Sequence, residues 1–274
     1  MSKKKRRDIP RFETPLIETH CHLDYLDEDS LEATLERGRE VGIERTITIA
    51  VSPDNLDKVV SLTRAADDIW GTQGIHPHEA EHFNSDVEAQ VREQAGDERI
   101  LAIGEIGLDY YYDHADRRVQ QQVFERQLQL ASDLELPVVI HSREADEDTE
   151  AILGNFRNSL PRRGVIHSFT SGLPLARFCL DMGFMLGFNG IATFKQAENV
   201  REAVALTPPE QLLLETDSPY LTPVPYRGKP NAPFYLPFVA EKVAEVKGMD
   251  CEELLKTAYS NSCELFFRGT PWSI

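Results

Sequence analysis

The sequence predicts a single-domain α/β protein built as a (β/α)8 barrel. Eight short apolar segments alternate with amphipathic segments of helical periodicity, and together they fill a chain of 274 residues. Alternating strands and helices are typical of a parallel sheet with right-handed crossovers, and about 250 residues is a usual length for an eight-unit barrel. No glycine-rich phosphate-binding loop follows the first apolar segment, which argues against an open dinucleotide-binding sheet.

The eight apolar segments are predicted to be the strands of the barrel. They are rich in Ile, Val and Leu without a strict alternation, which is typical of parallel strands covered on both faces. In chain order they are Pro15–His20, Arg45–Val51, Ile69–His76, Ile100–Asp109, Pro137–His141, Gly164–Ser168, Gly183–Asn189 and Gln211–Asp217.

Apolar residues at helical spacing mark helices between these strands and after the last one. The first has Leu31 and Leu35 on one face, with Asp29 or Ser30 as its N-cap, and Gly38 is expected to loosen its end. The other helices are predicted at Val119–Leu134, Pro174–Met182, Gln196–Leu206, Pro237–Lys247 and Cys251–Phe267.

Three segments make up the predicted domain organisation. Residues 1–13 form a disordered tail with basic residues from Lys3 to Arg7, residues 14–268 form the barrel, and residues 269–274 form a C-terminal tail. The alternatives for the basic run are a nuclear address or a nucleic-acid-binding arm. Repeated prolines between Pro219 and Pro237 predict a long loop after the eighth strand, and long ordered loops at strand ends often carry function.

The composition excludes several classes of protein. A hydrophobic fraction of 41% with 27% charged residues excludes a disordered chain, and no run approaches the roughly 18–20 apolar residues of a membrane helix. Four cysteines without a Cys-x-x-Cys spacing predict reduced thiols and a cytoplasmic location. The net charge of −17 argues against nonspecific nucleic-acid binding, although the acidic residues lie largely on the predicted helices, away from the strand ends.

Imidazole and carboxylate side chains gather at the carboxyl ends of the predicted strands, which meet on one face of a barrel. His20 and His22 lie two residues apart on an extended segment, so both rings point to the same side. Glu105 interrupts an apolar strand and needs a buried partner, either an arginine or a metal. Three further candidates, which as single residues would be packing or capping groups, each end a strand: His141, His167 and Asp217.

These six residues form a donor set of nitrogen and oxygen without thiolate. Such a set suits Mg, Mn, Zn or Ni, and six ligands exceed the needs of one tetrahedral ion, so the sequence predicts two divalent metal ions. We expect His20, His22 and Asp217 to hold one ion. The other is expected on His141 and His167, with Glu105 bridging the two.

Motifs along the whole chain resemble those of the TatD-type metal-dependent deoxyribonucleases, within the amidohydrolase-like barrels. The segments are Glu18–Asp24, Gly74–His78, Gly104–Tyr110, Pro137–Ala145, His167–Phe169, Glu215–Pro223 and Tyr226–Asn231. The resemblance extends from Pro15 to Phe267 and implies a TIM barrel, a two-metal site and hydrolysis of DNA phosphodiester bonds. Two positions depart from the family pattern, because Glu18 stands where Asp is common and Ser-Phe-Thr-Ser-Gly follows His167.

The resemblance further implies a 3′-to-5′ exonuclease on single-stranded DNA, with some relatives linked to DNA repair. A hydroxide bridging two ions would attack phosphorus, with Glu105 bridging them and Asp217 accepting the proton. Arg143 and Arg227 are expected to bind substrate phosphates, and His76 to face the substrate or support a ligand. The expected partner is DNA at single-stranded 3′ ends, without a membrane or an obligate protein partner. Most of the nearby aromatic residues are expected to pack rather than to stack on bases: Tyr110, Tyr111, Tyr112 and Phe169.

Two other classes of function remain open on the same residues. A metal-dependent amidohydrolase or esterase, including an aminoacyl-tRNA deacylase, uses the same barrel and ions, which do not choose between phosphorus and carbonyl carbon. A noncatalytic metal-binding scaffold is the second, and a complete ligand set argues against it. Cleavage of labelled single-stranded DNA, compared with turnover of small esters, distinguishes the first two classes.

Overall fold

Eight parallel strands pair in chain order in a computed structural model, which describes residues 6–269. The strands are β1 (Leu16–Cys21), β2 (Ile43–Thr48), β3 (Ile69–Gln73), β4 (Ile100–Asp109), β5 (Val138–Arg143), β6 (Gly164–Ile166), β7 (Met185–Phe188) and β8 (Leu212–Leu214). Every pair from β1·β2 to β7·β8 is parallel. The predicted fold class, a (β/α)8 barrel, is therefore confirmed.

Helices surround the strands and follow them in sequence. They are α1 (Glu28–Glu40), α2 (Leu56–Thr63), α3 (Ser85–Gln94), α4 (Arg117–Leu134), α5 (Asp146–Asn155), α6 (Leu173–Asp181), α7 (Glu198–Leu206), α8 (Leu236–Lys247) and α9 (Cys251–Phe266). Short 3-10 helices lie at Leu23–Tyr25, Pro53–Asn55, Pro77–His82, Gly190–Thr193, Pro209–Gln211 and Pro233–Tyr235. The apolar periodicity of the sequence did not predict α2, α3 and α5. In α3 the reason is that Val91 is its one buried residue, so the helix has no extended apolar face at helical spacing.

The start and end of α1 differ from the prediction. Its N-cap is Asp27, whose side chain accepts a hydrogen bond from the backbone N–H of Ser30 at 2.7 Å, so the predicted caps at Asp29 or Ser30 are wrong. The helix also runs through Gly38 to Glu40. Because Asp at an N-cap satisfies an otherwise unpaired N–H, the helix begins at Glu28, a few residues before the predicted start.

Several predicted strands continue too far at their carboxyl ends. The sixth and eighth stop at Ile166 and Leu214, and the chain beyond them leaves the extended conformation, with positive φ angles of 47° at Ser168 and 57° at Asp217. The loop after β8 is confirmed, because α8 begins at Leu236, directly after a 3-10 turn.

The ring closes where the first and last strands meet. The N–H of His22 donates to the carbonyl of Ser218 at 2.8 Å, and the N–H of Asp217 donates to the carbonyl of His20 at 2.9 Å. The hydroxyl of Thr19 adds a bond to the carbonyl of Leu214 at 2.9 Å. We call this junction the closure seam, and it places the end of β8 beside the His-x-His segment.

The barrel interior and the strand-to-helix interface are separate apolar layers. One buried cluster joins strands on opposite sides of the ring and therefore fills the barrel. It contains Ile47, Leu101, Val139, Val165 and Leu213, together with Leu265 and Phe266 from the last turn of α9. The larger cluster packs the outer strand faces against the helices. The apolar interior leaves the carboxyl ends of the strands as the polar face.

The described part of the N-terminal segment contacts the barrel. The guanidinium of Arg6 donates to the carbonyl of Pro225 at 3.0 Å, and Arg7 pairs with Glu241 and lies over the ring of Phe238. The predicted domain boundaries stay a prediction, and residues 1–5 and 270–274 lie outside the described residues. Across residues 6–269, each helix is too short or too polar to cross a membrane.

Candidate metal centre

A cavity of about 700 Å³ opens at the carboxyl ends of the strands. It is lined by polar residues from all sides of the barrel, including His22, His76, His78, Glu105, Asp109, His141, Arg143, His167 and Asp217. This is the face on which barrel enzymes build their sites, because the loops after the strands are free to vary there.

Glu105 lies at the floor of the cavity, surrounded by four imidazoles. Its Oε1 atom lies 2.9 Å from His167 Nε2, 3.1 Å from His141 Nδ1 and 3.4 Å from His76 Nε2. Its Oε2 atom lies 3.3 Å from His20 Nε2. Glu105 as a whole is 3% exposed, so the charge of its carboxylate is compensated by these rings rather than by water.

Asp217 forms a second group with the His-x-His pair at the closure seam. Its Oδ1 atom lies 3.4 Å from His22 Nε2 and 3.8 Å from His20 Nε2. The nitrogen of His20 therefore lies between two carboxylates, those of Asp217 and Glu105. All six ligand positions predicted from the sequence thus meet around one cavity.

Several buried ring nitrogens have no hydrogen-bond partner among the described residues. Both nitrogens of His20 and of His167 are in this state, as is Nδ1 of His22. The rings of His20 and His167 lie parallel, with centroids 3.8 Å apart and planes 6° apart. Unsatisfied buried polar atoms are rare because each one is costly. Imidazole nitrogens gathered beside carboxylate oxygens and left without hydrogen-bond partners fit divalent metal ions.

The electrostatics of the site depend on burial and on the close charges. Burial alone would raise the pKa of Glu105, but His167 and His76 hold it well below its usual range. Burial alone would lower the pKa of His22, but Asp217 raises it above the ordinary value. The pKa of His76 falls to about 4, chiefly because the ring is buried. Glu105 is therefore ionised at neutral pH.

Three groups of donors come close enough to share an ion: His20, His22 and Asp217; His20, Glu105 and His167; and His76, Glu105 and His141. The first matches the predicted set. The others differ from it, because His167 lies with His20 and because His76 joins His141. His76, which is expected to face the substrate or to support a ligand, lines the cavity with its Nε2 atom 3.4 Å from Glu105 Oε1, and its role stays a prediction.

Two buried carboxylates support the ligands and were not predicted as site residues. The Oε1 atom of Glu18 accepts the N–H groups of His20 at 3.0 Å and Thr216 at 2.9 Å, and burial raises the pKa of Glu18 to about 8. The Oε1 atom of Glu215 accepts the N–H of Ser168 at 2.6 Å and lies 3.4 Å from His167 Nδ1. Both carboxylates tie the ends of β1, β6 and β8 together.

Asp109 is a third supporting carboxylate. Its Oδ2 atom lies 2.9 Å from His141 Nε2 and 3.1 Å from His78 Nε2, so it orients the ring whose other nitrogen faces Glu105. The sequence carried a signal for it, because Glu105 and Asp109 are four residues apart on one strand and so share a face. A carboxylate behind a histidine is typical of metal sites.

The two predicted phosphate-binding arginines occupy different places. Arg143 lines the main cavity, and its guanidinium carbon lies 4.2 Å from the ring centroid of Tyr111. Arg227 lies outside that cavity, over the ring of Phe194 at 3.7 Å, in a neighbouring cleft of about 350 Å³ that also contains Lys195. Thr170 and Ile191 line both spaces, so the cleft continues the cavity.

The aromatic prediction holds for two residues and fails for two. Tyr110 is half-buried, with its hydroxyl donating to Asp148 at 2.6 Å, and Phe169 is buried. Tyr111 and Tyr112 are exposed rather than packed. The chain turns outward after β4, which carries these two rings to the mouth of the cavity.

Comparison with known proteins identifies the family. A family model described as TatD related DNase matches residues 17–267. An uncharacterized metal-dependent hydrolase of Bacillus subtilis, YabD, is 37% identical over 252 residues, 92% of this chain and 98% of the relative. The 3'-5' ssDNA/RNA exonuclease TatD of Pantoea ananatis is 35% identical over 241 residues, 86% and 92% of the two chains. The crystal structure of YJJV, a TatD homolog from Escherichia coli, matches with a TM-score of 0.87 at 30% identity, covering 93% of this chain and 98% of that one. The chain therefore belongs to the TatD related DNase family of metal-dependent hydrolases.

Proposed function

We propose that the protein is a metal-dependent nuclease that removes nucleotides from the 3′ end of single-stranded DNA. The observation that carries the proposal is the buried Glu105, which faces four imidazoles at the floor of an open cavity with Arg143 on its wall. The Pantoea ananatis relative is named as an exonuclease of this polarity and strand type. The family match over residues 17–267 supports the same chemistry.

Two divalent ions are part of the proposal, and Mg, Mn, Zn and Ni all suit the donors. His20, His22 and Asp217 would hold one, and His141 and His167, with His76 beside them, would hold the other. Glu105 would serve both, because each of its oxygens faces a different set of imidazole nitrogens. Such ions, when bound, lower the pKa of water and polarise phosphoryl oxygens.

The residues of the chain position the substrate and accept the proton. Burial alone would raise the pKa of Asp217, but His22 lowers it, so the carboxylate is ionised at neutral pH and serves as the general base. Arg143 provides a planar donor pair for phosphate oxygens. Its guanidinium also lies over the rings of Tyr111 and Tyr112, which limits its rotation. Arg227 and Lys195 bind the phosphates of the strand farther along, in the neighbouring cleft.

An amide or ester hydrolase, including an aminoacyl-tRNA deacylase, is the second candidate, because the donor set suits it equally. The guanidinium of Arg143 in the cavity wall favours an anionic phosphate over a neutral carbonyl group. A noncatalytic metal-binding scaffold is disfavoured because the ligand set is complete and faces an open cavity with Arg143 on its wall. A cytoplasmic location, which four free thiols support, and a role in DNA repair belong to the same proposal.

The test is incubation with single-stranded DNA that carries a 5′ label, in the presence of Mg or Mn. The expected product is a ladder that shortens from the 3′ end. Glu105→Gln is the matched control and should leave the DNA intact. Elemental analysis should find about two divalent ions per chain. Turnover of small esters without DNA cleavage would instead establish the second candidate.

A further inference from the structure

Large apolar side chains are exposed at few places in the part of the chain that the structure describes, and most of them surround the cavity. The five residues are Tyr25, Tyr111, Tyr112, Tyr220 and Val224. Tyr25, Tyr112 and Tyr220 line the cavity itself, and Tyr111 is the chain neighbour of Tyr112. Four of the five are thus tyrosines at one mouth, which a random surface would not produce.

Tyr25 and Tyr220 form one pair beside the closure seam. Tyr25 ends the 3-10 helix after β1, and Tyr220 lies in the loop after β8. Their ring centroids are 6.1 Å apart at 73°, and they lie 5.7 Å and 6.3 Å from the ring of His22. The pair therefore stands directly over a proposed metal ligand while about half of each ring remains in solvent.

Tyr111 and Tyr112 form the other pair, after β4. Their N–H groups donate to Asp109 Oδ1 at 3.0 Å and 2.9 Å, which fixes the turn that exposes both rings. The guanidinium carbon of Arg143 lies 4.2 Å and 4.8 Å from the two ring centroids. The cation proposed to bind phosphate therefore lies against this pair.

The two pairs stand on opposite sides of the cavity. In a closed ring of eight strands in chain order, β4 is across from the junction of β8 and β1. A single strand of nucleic acid that crosses the mouth of the cavity must pass both tyrosine pairs, with its phosphates over the polar floor between them. Two small, separated aromatic pairs flanking charged residues do not make the continuous apolar patch that a protein partner needs.

We propose that each tyrosine pair stacks on an unpaired base, one base on either side of the phosphate that is cleaved. This inference rests on the proposed nuclease function and adds the feature that selects the strand. Bases in a duplex already stack on each other and offer no free face, whereas unpaired bases stack readily on aromatic side chains. The pairs thereby restrict the site to single-stranded nucleic acid and tolerate any base sequence.

The test compares two single-stranded substrates with identical phosphates. One is an ordinary oligonucleotide, and in the other the last three 3′ residues are abasic. The wild-type enzyme should prefer the ordinary strand in kcat/KM by roughly 5- to 150-fold for each stacked base. Tyr25→Ala combined with Tyr220→Ala should remove the factor contributed by one base, and Tyr111→Ala combined with Tyr112→Ala should remove the factor contributed by the other.

Matched variants and an optical signal control for indirect effects. The corresponding Phe substitutions keep the ring and should keep the preference, and Val224→Ala removes an exposed apolar side chain outside the cavity and should keep it too. A 2-aminopurine base at the 3′ end should lose fluorescence on binding to metal-free wild type, and less so with the Ala variants. A wild-type enzyme that cleaves both strands equally would overturn the stacking proposal alone. One that cleaves neither would overturn the nuclease function and the stacking with it.

Discussion

Replacement of Gly187 by alanine tests whether the buried Glu215 positions the ligands. A Cβ atom at residue 187 would lie 2.4 Å from Glu215 Oε2 and 2.9 Å from its Cδ. Ordinary non-bonded contacts are roughly 3.5 Å or longer, so the carboxylate must retreat by about 1 Å. Glu215 holds the N–H of Ser168 and lies against His167 Nδ1, so its displacement releases the ring that faces Glu105.

Two magnitudes follow from this clash. Overpacking in a close-packed interior costs about 1–3 kcal/mol, which leaves a domain of about 5–15 kcal/mol folded. Loss of a group that orients a metal ligand weakens metal affinity by about 10- to 100-fold. We therefore expect Gly187→Ala to fold, to unfold at lower urea concentration, and to bind Mn with reduced affinity.

The assay combines urea denaturation with calorimetric metal titration. Gly154→Ala is the control, because that glycine lies in α5 with its nearest neighbour, Phe178 Cζ, 3.9 Å from the added Cβ. This variant should gain about 0.5–1 kcal/mol from helix propensity and bind metal like wild type. The reasoning is refuted if Gly187→Ala matches wild type in both the urea midpoint and the metal affinity.

Three further predictions concern the carboxylates and the ions. Glu105→Gln should lower the hydrolysis rate by at least about 100-fold and reduce the bound metal measured by elemental analysis, and an unchanged rate would remove Glu105 from the site. The pKa of Glu18 is about 8 in the folded protein, against an ordinary value of 4.5. Between these two pH values the unfolded chain releases a proton that the folded chain retains. The stability of the metal-free wild type should therefore fall as the pH rises from 4.5 to 8. Glu18→Gln cannot lose this proton, and its urea midpoint relative to wild type should be higher at pH 9 than at pH 5; an equal difference at the two pH values would contradict the buried carboxyl. Removal of metal with a chelator should lower the melting temperature and Mn should restore it, because ligands of the native state alone stabilise by about 2.7 kcal/mol at 100 times their Kd, whereas a constant melting temperature would argue against metal binding.

Strand positions were predictable because burial on both faces requires apolar residues. Every residue of β1 and β4 is buried, and the apolar pattern located both to within a residue or two. The ends of β6 and β8 were not predictable, because the residue types of Ser168 and Asp217 do not indicate the positive φ angles that these residues adopt just beyond the strands. Helix α5 was also missed, since three of its first residues are acidic and its apolar face is narrow.

The ligand positions were predictable because parallel strands all end on one face. His20, Glu105 and His167 could be grouped on that basis without knowledge of any distance. The course of the loops was not predictable. The loop after β8 places Arg227 in a neighbouring cleft, and the loops after β1 and β8 bring Tyr25 and Tyr220 together although they are far apart in the sequence. Contacts of that kind depend on closure of the ring, which no local pattern encodes.

The closure seam also determines when the proposed site can form. The bond from the N–H of Thr216 to Glu18 joins residues 198 positions apart, and His20 meets Asp217 at the same junction. Contacts so distant in sequence form only after the intervening chain has been made and folded. A chain still on the ribosome has no Asp217 beside its histidines, and a chain truncated before β8 never acquires one. With the role proposed for Asp217, hydrolysis requires the completed barrel, and fragments that end before β8 are expected to be inactive.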